Sequence, residues 1–294
     1  MAKLMRILAA TDLSSPARQA VTRAALQAVQ AGAQLDVLHV IGQSPLDRLR
    51  RLSPELPAGL EQRLLDDARQ ELGHLGAQLH QDYGVSAGVQ AVCGSLLVEL
   101  EKRADALDAN LVVLGSRGES FMRHRVLGST AERMVSTTRR PLLVVKQAAR
   151  APYQTVLVPV DFSSSSLPAL TMAKEIAPGA DIVLLHAFEV PFEGKLRYAG
   201  VTEDTIFSYR TAARKEALAK MQALCEQAQI PPASVRMLVL QGNPERRVIE
   251  QEQEQVCDLI VIGKHGENKV EELLLGSTTK HVLGESLGDV LVSV

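Results

Sequence analysis

Residues suited to holding an anion occur twice in this chain, at matching places. Gly115-Ser116-Arg117-Gly118 is followed, after nine residues, by Gly128-Ser129-Thr130. Gly263-Lys264-His265-Gly266 is followed, again after nine, by Gly276-Ser277-Thr278. From average composition, a G-x-x-G-x9-G-[ST] pattern arises by chance about once in 25,000 windows, so two copies in register point to a shared use. Glycines without a Cβ let the backbone turn sharply and let N–H groups approach a phosphate closely. Gly128-Ser129-Thr130 and Gly276-Ser277-Thr278 fall where a helix is expected to begin. There the unpaired amides and the helix dipole favour negative charge. The plainer reading of a single copy is a loop followed by an N-cap, because Gly and Ser favour both.

Two carboxylates share the repeat. Asp12 and Asp161 each end an apolar run and are followed two residues later by Ser14 and Ser163. A carboxylate there can cap the next helix, hold a ribose hydroxyl or help position Mg²⁺, and these roles coexist. His39 and His186 occupy equivalent strand ends, where an imidazole usually satisfies a backbone partner. No Ser or Cys nucleophile signature accompanies them. Arg117, Arg123 and Arg125 are within reach of a phosphate in sequence terms. Across Gly115–Ala131 the formal charge is +2, and across Gly263–Thr279 it is −1. Read as exposed side chains, these charges favour a polyanion in the first copy. A Walker A loop is absent, as is a G-x-G-x-x-G after the first apolar run, which argues against P-loop and dinucleotide readings.

Positioning these residues requires two similar scaffolds. The offset of 148 residues in a 294-residue chain assigns a first domain to 1–148 and a second to 149–294, with a seam over Gln147–Tyr153. Each is large enough to bury its own core. Short apolar, β-branched runs predict strands at 4–10, 35–41, 86–92, 110–114 and 141–146. The second set is 154–160, 181–188, 234–240, 258–262 and 289–294. Ser14-Ser15-Pro16 is a helix start signal. Leu60, Leu64, Ala68, Leu72, Leu75 and Leu79 form one helical stripe, as do Leu218, Met221 and Cys225. Strands alternating with helices imply crossovers and a parallel sheet. Near-continuous apolar strands such as Leu111–Leu114 and Leu259–Ile262 imply cover on both faces. The fold expected is two tandem open α/β sandwiches, each with a five-stranded parallel sheet and helices on both faces. Ligands in such sheets sit beyond the strands' carboxyl ends, where strand order reverses, and Asp12/Asp161, Val40/Ala187 and Gly115/Gly263 all fall there.

Composition narrows the partners. The net charge is −2, divided as +3 over 1–148 and −5 over 149–294. No strongly basic stripe suits a nucleic acid. Four Tyr, five Phe and no Trp leave little for base stacking or membrane belts. No apolar run approaches the ~18 residues of a membrane span. Three scattered cysteines without C-x-x-C suit a reducing compartment, and Cys93 and Cys257 read as packed thiols. The expected location is the cytoplasm.

The strand-Asp-x-Ser starts, the Leu38-His39-Val40 and Leu185-His186-Ala187 strand ends and both glycine motifs together resemble the universal stress protein family in its tandem two-domain form. The likeness runs over nearly the whole chain. It implies ATP as ligand, with AMP or ADP as variants and Mg²⁺ as an accompanying ion. Ala10 and Pro159, with Asp12 and Asp161, would flank adenosine, while Val40 and Ala187 would present backbone to adenine. Leu114, Gly115, Arg117 and Gly118 would line ribose and phosphates in one copy. Ile262, Gly263, Lys264, His265 and Gly266 would do so in the other. Gly128, Ser129, Thr130 and Ala131, and Gly276, Ser277, Thr278 and Thr279, would close over the phosphate tail. Ala10 stands where the family usually has Pro, and Ala187 where it usually has Val. The resemblance also implies that the last strands pair two domains, so a tandem chain forms a pseudo-dimer within itself, with a further homodimer left open. The main expectation is an ATP-binding stress or signalling protein whose nucleotide state is read by a protein partner. A second is a weak Mg²⁺-dependent ATPase with slow hydrolysis. A third is a scaffold for another ligand, such as a lipid, shaped by 46–79 and 188–209.

Overall fold

Leu111–Gly115 and Leu259–Gly263 are buried along almost their whole length, as strands covered on both faces must be. They are β4 and β9 of the ten strands in the described part of the computed structural model, which covers residues 4–52, 59–116, 128–190, 200–266 and 275–294. The chain divides into two compact units, Met1–Pro152 and Tyr153–Val294.

Unit one contains β1 (Arg6–Thr11), β2 (Gln34–Gly42), β3 (Ala87–Gly94), β4 and β5 (Leu142–Val145). Its helices are α1 (Ser15–Ala31), α2 (Gln43–Leu52), α3 (Leu60–Tyr83), α4 (Leu96–Leu107) and α5 (Ser129–Thr137). Unit two contains β6 (Thr155–Pro159), β7 (Asp181–Phe188), β8 (Val235–Gln241), β9 and β10 (Asp289–Ser293). Around them lie α6 (Ser166–Ile176), α7 (Glu203–Gln227), α8 (Pro244–Glu254) and α9 (Ser277–Glu285). Every strand lies within two residues of its expected ends, because strand apolarity is a local signal.

Both sheets are five-stranded and parallel, ordered β3-β2-β1-β4-β5 and β8-β7-β6-β9-β10. In each, strand order reverses between the first and fourth strands. Right-handed crossovers then send the helices to opposite faces. Accordingly α1 packs on β1, β4 and α3, whereas α4 packs on α5; in unit two, α6 packs on β6, β9 and α7, and α8 on β6, β7 and α9.

Local chemistry explains the starts and stops. Ser14 caps α1 by accepting from the Ala17 amide, with Pro16 in the first turn, and Gly32 ends the helix in the left-handed region, where a side chain is strained. On α3, Ala68, Leu72, Leu75 and Leu79 are buried, while Leu60 and Leu64 are half-buried. On α7, Met221 and Cys225 are buried and Leu218 is half-buried. Cys257 is buried as expected, but Cys93 is only half-buried, since it lies near the end of edge strand β3. No described helix is long and apolar enough to cross a membrane.

Candidate functional site

The site in unit two starts where β6 stops. Asp161 is followed by Phe162 with φ +65°, a region that bulky residues seldom occupy. This lets the Asp161 carboxylate fold back on its own chain. Its Oδ1 accepts from the Ser163 amide at 3.0 Å and from the Ser166 hydroxyl at 3.2 Å. The Ser163 bond closes an Asx turn. His186, from the end of β7, donates Nδ1–H to the Val160 carbonyl at 2.8 Å. A carbonyl can only accept, so Nδ1 carries the hydrogen. The His186 ring lies 4.5 Å from the Phe162 ring, centroid to centroid, and Lys220 Nζ of α7 lies 5.5 Å from the Phe162 centroid.

The second wall is the end of β9. A Cβ on Gly263 would sit 2.5 Å from Ser165 Cβ, so glycine is what lets this strand end meet the start of α6. A Cβ on Gly266 would sit 2.8 Å from Asp161 Oδ2, which brings the glycine loop against the carboxylate. The Lys264 amide donates to the Ser293 carbonyl at 2.9 Å, and its carbonyl accepts from the Gly276 amide at 3.1 Å. The loop is thereby closed at its base. Among the described residues no side chain caps α9, whose N-cap is Gly276, and the first amides of a helix have no partner within it. The Thr279 hydroxyl donates to the Gly263 carbonyl at 2.8 Å.

These parts surround a cavity of about 330 Å³, a size that suits a small molecule. Pro159, Asp161, Ala187, Ile262, Gly263, Gly266, Gly276, Ser277, Thr278 and Thr279 all line it. Lys264 does not: the residue is 6% exposed, and its backbone closes the base of the loop. That corrects the expectation of an exposed charge, because closing the loop base turns this residue inward. Sequence reading missed Val160, Ser165, Ser166, Pro244 and Val248 as lining residues. The Ser163–Ser166 run and Asn243-Pro244 were visible signals, since each resembles a helix start. The first turns of α6, α8 and α9 all contribute to the lining. Three positive dipole ends therefore meet at one cavity.

Unit one repeats the frame. Leu13 has φ +66°, Asp12 Oδ1 accepts from the Ser14 amide at 3.1 Å and from the Ser14 hydroxyl, and His39 Nδ1–H donates to the Thr11 carbonyl at 2.9 Å. The Gly128 amide donates to the Ser116 carbonyl at 2.9 Å, the counterpart of the Gly276–Lys264 bond. Ala10, Leu114 and Ala131 are buried, while Val40, Gly115 and Gly128 are half-buried. Arg117, Gly118, Arg123 and Arg125 lie outside the described residues, as do the side chains of Ser129 and Thr130.

The family model described as the universal stress protein family matches residues 3–146 and again 152–293. The chain belongs to the universal stress protein family. A universal stress protein from Synechocystis is 26% identical over 310 residues, spanning 98% of this chain and 99% of the relative. One from Methanocaldococcus jannaschii is 26% identical over 152 residues, spanning 48% of this chain and 94% of the relative. The crystal structure of a universal stress protein from Archaeoglobus fulgidus superposes with a TM-score of 0.70 at 22% identity, covering 98% of this chain and 97% of that one. This last likeness concerns the fold. Among the described residues of this universal stress protein, Asp161 and His265 are the titratable side chains lining the unit-two cavity, beside the amides of three helix starts. Such a set suits one end of a ligand that is anionic and another that offers hydroxyls.

Proposed function

We propose that this universal stress protein is a cytoplasmic adenine-nucleotide-binding protein, with ATP as its ligand, and that nucleotide occupancy alters a surface read by a protein partner. The observation that carries this reading is the convergence on one cavity of ten unit-two residues named from sequence as nucleotide contacts. Asp161 is the group for ribose hydroxyls, with Pro159 and Ala187 beside the base. Gly263, Gly266 and the α9 start, Gly276 to Thr279, face the phosphates. Uncapped amides at a helix start favour polyphosphate through both hydrogen bonding and the dipole. A carboxylate held by two donors is preorganised to accept from hydroxyls. In unit one, Ala10, Asp12, Val40, Leu114, Gly115 and the residues from Gly128 to Ala131 take the same roles, together with Arg117 and Gly118. Mg²⁺ would accompany the phosphates.

Native mass spectrometry of the purified chain, followed by calorimetry with ATP, tests this. A co-purified adenine nucleotide, or saturable ATP binding, is expected. A co-purified lipid with no heat from millimolar ATP would refute it.

A further inference from the structure

Asp161 sits between two residues that one side chain holds. His186 binds the carbonyl of Val160, on one side of Asp161, at 2.8 Å. Its ring packs at 4.5 Å against the ring of Phe162, on the other side. The Val160 amide in turn donates to the Leu185 carbonyl at 2.8 Å, so β7 holds this residue through both its N–H and its carbonyl. Phe162 occupies a backbone region that a bulky residue leaves unless its surroundings prevent it. That conformation is what aims the carboxylate at the Ser163 amide and into the cavity lining. Relaxing it would carry Asp161 away from Gly266, where an added Cβ would meet Asp161 Oδ2 at 2.8 Å.

We infer that His186 is a positioning residue for ligand binding: it clamps the two neighbours of Asp161 and so keeps the carboxylate aimed at the ligand. In unit one His39 makes the matching bond to the carbonyl before Asp12, that of Thr11, at 2.9 Å. The inference rests on the nucleotide reading above, and it gives the strand-end histidines a role beyond satisfying a backbone group. The bond uses Nδ1–H, which is present in this tautomer of neutral imidazole and in imidazolium alike. The clamp therefore needs a donor at that place and a flat group against Phe162, and it needs no proton transfer.

The test is a double-mutant cycle in the full chain, with ATP affinity at unit two read by hydrogen exchange of the Gly276–Thr279 amides during titration. His186→Phe keeps a ring and removes the donor, whereas His186→Asn keeps a donor and removes the ring. His186→Phe should weaken ATP binding about fivefold to tenfold, the worth of one well-placed hydrogen bond. His186→Asn should recover part of that loss. In an Asp161→Ala background, His186→Phe should change affinity by less than about twofold, because its effect passes through the carboxylate. An equal loss in both backgrounds would overturn the inference and leave His186 a purely structural group. Should His186→Phe fail to fold, His186→Asn carries the same cycle. A ligand-free readout separates this inference from the nucleotide reading: the ¹³C carboxyl resonance of Asp161 should move in His186→Phe and return towards its original position in His186→Asn. If it stays unmoved in both, the clamp is absent whatever the ligand. If it moves as expected while ATP does not bind, the clamp stands and the nucleotide reading falls.

Discussion

In unit one the Asp12 carboxylate takes both the amide and the hydroxyl of Ser14, and α1 starts at once behind it. In unit two the Asp161 carboxylate takes the Ser163 amide but finds its hydroxyl on Ser166, so α6 starts later. The left-handed residue after the carboxylate is the same in both, φ +66° at Leu13 and φ +65° at Phe162. So is the histidine bond to the carbonyl before the carboxylate, from His39 to Thr11 and from His186 to Val160. The backbone frame is therefore the constant part, set by the strand switch and the turn, and the side chains hung on it differ. Arg117 matches His265, Ala10 matches Pro159, Ala109 matches Cys257 and Asp108 matches Val256. Each unit is thus a control for the other.

The largest effect is expected at the glycines, where the frame admits no Cβ. Gly263→Ala would place a Cβ 2.5 Å from Ser165 Cβ, and should cost about 1–3 kcal/mol of stability, read as a lower urea midpoint. Gly266→Ala presses only on the Asp161 carboxylate, 2.8 Å away. It should change stability by less than about 0.5 kcal/mol while weakening ATP binding about tenfold. Equal loss of stability in the two variants would break the distinction between a packing glycine and a ligand-facing one.

The loop charges rank the two units. Unit one carries +2 across Gly115–Ala131 and unit two −1 across Gly263–Thr279, and of the unit-two charges Lys264 is buried. With each exposed charge worth about 0.2–1 kcal/mol, unit one should bind ATP about threefold to tenfold more tightly at low salt. The gap should shrink as salt rises. His265→Arg, which installs the residue found at the matching place, should raise unit-two affinity about twofold to fivefold. Site-resolved titrations giving equal affinities at low salt would defeat this ranking.

Cys257 supplies a pH test that unit one lacks. Burial, first, and then the neighbouring carboxylates of Glu252 and Asp258 push its thiol up to about 12, from an ordinary value of 9.0. The folded state holds this proton more tightly than the unfolded one, so the stability it contributes is complete below about pH 9 and is lost as pH rises towards 12. Cys257→Ala, which copies Ala109, should flatten the alkaline decline in stability. Denaturation series at pH 8, 9 and 10 measure the slopes, and identical slopes for the two proteins would count against it. In the native chain, half-buried Cys93 should be alkylated well before Cys257 or Cys225.

The smallest effect is at the helix ends. Val256 sits at φ +53° and is 80% exposed, a strained place for a β-branched residue with few contacts to lose. Val256→Gly should stabilise by about 0.5–1 kcal/mol. Asp108, at φ +50°, tolerates the same conformation better, and Asp108→Val should destabilise by a similar amount. Shifts in the urea midpoint with unchanged slope would confirm both.

Much of this is legible in the sequence. The apolar runs around Val112, Leu157 and Ile260 marked strands because burial on both faces leaves no polar alternation to misread. Ser14 and Pro16 marked the start of α1 because capping is a chemistry of adjacent residues. Gly128 and Gly276 marked the starts of α5 and α9 for the same reason. Lys264 was misjudged, since its sequence neighbours do not reveal that the loop base turns it inward. Ser165, Pro244 and Val248 were missed because nothing local ties them to Gly263, which is far from each of them in sequence.

What the amino-acid sequence determined by itself is the duplication, the strands, the helix starts and the residue types at the strand ends, all of which depend on neighbours within a turn or two. Only the tertiary structure decided which of those ends meet. The reversal of strand order between β6 and β9 brings Asp161 beside Gly266 and the start of α6 beside Gly263. It also brings His186 of the adjoining β7 over the turn that aims Asp161. Crossover handedness and the packing of whole helices on the sheet set that order, and no local pattern in the sequence encodes it.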